Sequence, residues 1–152
     1  MKTLLAILLA FLSLAAMAEP RLAGHWQSDR ELTMRFVRER SKLEEKTLLF
    51  LEEMTGRLTL EFANGRLTTS MPNWESMNAD GQKSQLVGFM ETHSFKVVAT
   101  TESQVAVTSQ EPVTHRRRVT VYNFESPNRM WVYLGGAPFP DTNIREYFVR
   151  VK

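Results

Sequence analysis

Near its C-terminus the chain places Arg145 and Tyr147 two apart in Ile144-Arg145-Glu146-Tyr147, a segment of strand-like composition. Side chains two apart on a strand share a face, and this face continues with Val149 and Val151. The other face holds Ile144, Glu146, Phe148, Arg150 and Lys152. The face with fewer charges is expected to be interior. An inward guanidinium must then find a partner, because burying a lone charge is costly. A ligand carboxylate would meet its fork of donors, with the Tyr147 phenol adding a third hydrogen bond. Neutralisation by an internal Glu, or a purely packing role, is open to the same residue.

The aromatic supply is generous. On a strand over 129–135, Trp131 and Tyr133 fall on one face and Met130, Val132 and Leu134 on the other. That arrangement suits a wall between a lined cavity and a covering element, and equally suits plain core packing. Phe36 and Phe50, with Met54, stand on helical segments; they face a cavity mouth if those helices form a lid, and pack normally if they lie outside. Catalytic signals are thin. His25, His93 and His115 are scattered, without the spacing of a metal site. No nucleophile elbow and no Gly-rich phosphate loop is present. A non-enzyme without cofactor or metal is therefore expected. In His115-Arg116-Arg117-Arg118 alternate side chains would point to opposite faces, which weakens the patch. With Glu111 and Glu125 nearby and no interleaving of basic and aromatic residues, nucleic acid is not an expected partner.

Composition bounds the rest. The chain has 152 residues, 19 basic and 17 acidic, with 43% apolar and 24% charged side chains and no cysteine. Those are ordinary globular values, and disulfides and thiol chemistry are excluded. Lys2, the apolar run Leu4–Ala16 and Ala16-Met17-Ala18 have the form of an export signal cleaved after residue 18. A single domain over 19–152 follows, periplasmic or secreted, and no integral membrane span is expected beyond the signal.

The elements that must position these residues come in a clear order. Residues 22–27 suggest an opening strand. Ser28 three before Glu31, and Ser41 three before Glu44, fit capping boxes; two helices over about 29–39 and 42–55 are predicted, the second ended at Gly56 by a left-handed cap. From Arg57 the apolar period changes from 3.6 to 2. Asn64-Gly65 predicts a tight hairpin turn, and Pro72 stops the return strand 66–71. Asp80-Gly81 would turn a strand at 73–78 into one at 82–90. Further strands are predicted at 93–101, 104–110, 115–125, 129–135 and 144–151. Short connections favour antiparallel neighbours, and a meander of this length avoids open edges by closing. The fold class predicted is mainly β: an antiparallel up-and-down barrel of 8–10 strands with a helix-turn-helix inserted after the first strand.

Three features resemble the calycins, the lipocalins and fatty-acid-binding proteins. Gly24-His25-Trp26 has the Gly-x-Trp form of their first strand, the helical pair resembles the lid of the fatty-acid-binding branch, and Arg145-Glu146-Tyr147 is similar to the pair that holds a carboxylate there. The resemblance implies structural roles for Gly24 and Trp26. It also implies a ligand site of Arg145, Tyr147, Trp131, Tyr133, Phe36 and Phe50 for an apolar or anionic amphipathic molecule such as a fatty acid. It supplies a structural alternative too, in which a late Arg packs over the Gly-x-Trp indole. The competing functional class is a cell-envelope interaction or inhibitor module with a filled barrel and contacts made by loop 135–143.

Overall fold

The computed structural model describes residues 20–77, 82–110, 116–134 and 143–151. Its strands are β1 (Gly24–Ser28), β2 (Thr59–Ala63), β3 (Arg66–Met71), β4 (Trp74–Met77), β5 (Lys83–Leu86), β6 (Phe89–Thr100), β7 (Gln104–Gln110), β8 (Arg117–Ser126), β9 (Arg129–Tyr133) and β10 (Arg145–Val151). Eight of them close an antiparallel barrel in the order β1-β10-β9-β8-β7-β6-β3-β2, and β4-β5 form a separate hairpin. The predicted fold class is therefore what the chain adopts. The β2–β3 turn is made by Asn64 and Gly65 at φ 52° and 70°, the pair of positive values a two-residue hairpin of this hand requires.

One strand boundary differs from expectation. The break falls at Val87-Gly88, not near residue 91, because Glu91 and Thr92 lie in mid-ladder opposite Thr69 and Thr68 of β3. The predicted turn at Asp80-Gly81 lies outside the described residues.

Between β1 and β2 come α1 (Arg30–Arg40) and α2 (Glu45–Met54). Neither predicted capping box forms. Asp29 caps α1, accepting from Leu32 N at 2.9 Å, while the Ser28 hydroxyl is used inside the barrel. No side chain caps α2; Ser41 donates to the Asn143 carbonyl instead. Gly56 does take the left-handed φ of +84°.

Two clusters make the core. Inside the barrel, Leu22, Trp26, Leu60, Phe62, Leu67, Phe95, Val105, Val107, Tyr122, Met130, Val132 and Phe148 are buried together. Phe62 meets Phe95 and Tyr122 edge-on at 5.4 and 5.3 Å, a favoured aromatic geometry. The second cluster joins Met34 and Val37 of α1 and Leu51 of α2 to Ile144. The helical pair thus roofs the barrel end where β1 finishes and β10 starts.

The opposite end is sealed by the chain itself. Residues 20–22 are helical, Leu22 and Trp26 are fully buried, and the indole N–H donates to Leu22 O at 2.7 Å. Arg150, the cross-strand partner of Trp26, lays its guanidinium 4.3 Å over that ring. It donates to the carbonyls of Arg21, Ala23 and Pro127. Three segments converge on one cation. Arg150→Ala is expected to lower unfolding stability by about 2–4 kcal/mol, from the lost charged hydrogen bonds and ring stacking; urea unfolding followed by tryptophan fluorescence measures it.

Candidate functional site

The last strand faces the other way from the sequence expectation. Ile144, Glu146 and Phe148 are buried toward the barrel side, and Arg145 and Tyr147 stand on the outer wall. The charge count misled because neither residue is kept out by its charge: Arg150 is held by carbonyls and an indole, and burial favours the uncharged form of Glu146. Arg145 therefore cannot hold a carboxylate inside the barrel. The alternative of an Arg over the Gly-x-Trp indole is realised, but by Arg150. The strand period puts Arg150 on the opposite face from Arg145, but it does not say which of the two faces is inward.

Five of the six nominated ligand residues do come together. Where β1 ends, α1 continues along β10: Asp29 N donates to Tyr147 O at 2.8 Å, and Tyr147 N donates to Thr33 Oγ1 at 3.0 Å. Phe36 contacts the Tyr147 ring. The Arg145 guanidinium lies 4.5 Å from the Phe36 ring and 3.9 Å from that of Trp131, with Tyr133 at 5.5 Å. Its pKa is raised: partial desolvation opposes the charge, but the Tyr133 and Tyr147 phenols outweigh it. Its Nε is buried without a hydrogen-bond partner. This cluster clamps α1 to the wall. Phe50 does not join it; it sits on α2 and is 55% exposed. Loop 135–142 and His115 lie outside the described residues.

The site that sequence reasoning missed is on the inner wall, at the roofed end. The strand period carries inward direction from Phe95 to His93 and Glu91, from Val107 to Ser109, and from Tyr122 to Thr120 and Arg118. Thr69 faces Glu91, and Phe95, Ser109 and Arg118 form one cross-strand row. None of the polar members of this set is fully buried. Glu91 and His93 pair at 2.9 Å, with side chains 31% and 22% exposed. Below them Phe95, Val107 and Tyr122 are buried; desolvation holds the Tyr122 phenol well above its ordinary pKa, against a lowering by the Arg118 charge. By strand parity this part of the inner wall carries polar, water-reachable side chains above an apolar floor. The signal was present as polar residues at inward parity on β6, β7 and β8.

Glu146 is the deepest charge-bearing group of the roofed end. It is 6% exposed, accepts from Ser28 Oγ at 2.7 Å, and burial pushes its carboxyl up to about 7 despite that hydrogen bond.

Among the described residues no group of three His, Asp or Glu could hold a metal ion, and no helix is long and apolar enough to cross a membrane. Comparison with protein-family models, curated proteins and solved structures returns no match to this chain. If Arg145 is a clamp, Arg145→Met should cost about 1–3 kcal/mol through lost ring contacts and raise amide exchange in α1 above that in β7. Exchange mass spectrometry would show it.

Proposed function

We propose that this protein is an exported, calycin-like binding protein, not an enzyme, and that it takes an amphipathic small molecule into the roofed half of its barrel. The observation that carries this reading is the division of the interior. One half is filled by Trp26, Phe62, Met130 and Phe148, whereas the other presents Glu91, His93, Ser109, Thr120 and Arg118 from the inner wall without burying them. An inward ionisable group serves the interior where it is paired, as Arg150 is at the sealed end; those of this wall keep contact with water instead. A binding cup uses them to orient a polar head, while affinity comes from apolar area at ~25 cal/mol per Å². Phe95, Val107 and Tyr122 offer that area. The calycin kinship is supported by the closed eight-stranded barrel, the helical insertion after β1 and the Trp26–Arg150 seal. The signal-like residues 1–18 support export.

A second reading, an interaction module, is favoured by the exposed valines of the outer wall. Val119 and Val121 on β8 are 59% and 40% exposed, and Val121 lies opposite Ala106 of β7.

Extraction of the purified protein and mass spectrometry would identify a co-purified small molecule. Titration with 1-anilinonaphthalene-8-sulfonate tests the cup directly. Thr120→Trp, which fills the cup from β8, is expected to weaken probe binding by about tenfold or more, with the melting temperature held within about 3 °C. A pair of changes on the outer wall, Val119→Ser and Val121→Ser, should leave probe binding intact. Probe binding lost through the outer-wall pair and kept in Thr120→Trp would transfer the site to that wall.

A further inference from the structure

The helical roof has two roots, and one carboxyl is tied to both. Ser28 is the last residue of β1, where the chain leaves for α1; Gly56 follows α2, where the chain returns toward β2. Ser28 Oγ donates to Glu146 Oε1 at 2.7 Å and accepts the Gly56 N–H at 2.9 Å. Gln27 Nε2 adds a bond to Gly56 O at 2.8 Å, and Ser28 N donates to Leu58 O. Glu146 thus reaches the entry and the exit of the insertion through a single hydroxyl.

We propose that Glu146 is a proton-operated catch on this roof, closed when its carboxyl is protonated and released when it ionises. This rests on the reading of the roofed half as the ligand site only for its consequence, which is ligand release.

Among the described residues no counter-charge acts on it: burial and the Ser28 hydrogen bond are the influences on its carboxyl. The inward residues of β1 are Trp26 and Ser28, those of β9 are Met130 and Val132, and those of β2 are Leu60 and Phe62. The buried faces of α1 and α2 contribute Thr33, Met34, Val37 and Leu51. The ionisable groups of the inner wall, Glu91 and His93 on β6 and Tyr122 and Arg118 on β8, are not among the influences on the Glu146 carboxyl, which are burial and the Ser28 hydrogen bond. A neutral carboxyl loses far less on burial than an ionised one and accepts from the Ser28 hydroxyl. An ionised one in the same place has a single donor and no cation, so opening to water relieves it.

The sign follows from linkage. Burial holds the carboxyl at about 7, up from 4.5, so the closed state binds the proton that the open state has already lost. Closure is fully favoured below the ordinary value, weakens by about tenfold per pH unit between the two, and levels off above the raised value, roughly 300-fold in all.

The test compares the purified protein with Glu146→Gln, which keeps the shape and removes the titration. Amide-exchange protection factors of α1 and α2, referenced to β7 and β8, are measured from pH 5 to 8.5, alongside the release rate of 1-anilinonaphthalene-8-sulfonate. In the unaltered protein roof protection should fall by at least about tenfold across this range, with probe release accelerating in step. In Glu146→Gln both should be flat and closed. An equal pH slope in both proteins, or no slope in either, overturns the catch. A roof that responds while no probe binds at any pH sustains the catch and removes the ligand reading. Should Glu146→Gln not fold, Ser28→Ala decides: it cuts the tie, so the roof should be loose even at pH 5, and unchanged protection there overturns the proposal.

Discussion

Closure of β1 against β10 is the constraint from which the remaining structure follows. The two ends of the chain pair in antiparallel register, His25 opposite Val151 and Ser28 opposite Phe148, and this places Trp26 beside Arg150. Because strands alternate faces, that pairing makes Glu146 and Phe148 interior and Arg145 and Tyr147 exterior in one stroke. Where β1 stops at Ser28, Tyr147 would be left with an unpaired backbone N–H and C=O. Thr33 and Asp29 take them, so α1 begins as a continuation of the barrel wall and the position of the roof is inherited from the closure.

The interior is then divided by what the two ends must do. At the sealed end, apolar side chains pack around Trp26, and each large one buried contributes about 1.5–3 kcal/mol. At the roofed end the helices cover the barrel through Met34, Val37 and Leu51 against Ile144, on the β9–β10 side. The wall of β3, β6, β7 and β8 is left with polar residues facing in and water able to reach them. A barrel only eight strands round has little room inside. The filled half provides stability.

Much of this was legible in the sequence. The change of apolar period at Arg57, the Asn64-Gly65 turn and the left-handed Gly56 are local signals, and each is realised where it was expected. The barrel followed from strand number and short connections. What was not legible depended on long-range partners. Ser28 carries a capping pattern that is as good as that of Asp29, yet its hydroxyl is claimed by Glu146, 118 residues away. The orientation of β10 turned on whether Glu146 and Arg150 could be tolerated inside, and nothing local states that Arg21, Ala23 and Pro127 would offer their carbonyls to Arg150. The convergence of Phe36, Trp131, Tyr133, Arg145 and Tyr147 was anticipated as a set and misplaced as a location, because the set shares one face whichever face that is.

Three charged residues on β10 illustrate how the same cost is met in different ways. Arg150 keeps its charge inside by taking three backbone carbonyls and an indole, while desolvation lowers its pKa. Arg145 keeps its charge on the outer wall between aromatic rings, where the quadrupole of each face substitutes in part for water. Glu146 has one hydroxyl donor and, among the described residues, no cation, and burial raises its carboxyl to about 7. Of the three, only the last is left with a charge state that ordinary changes of pH can alter. It stands where the first strand, the last strand and both roots of the roof meet.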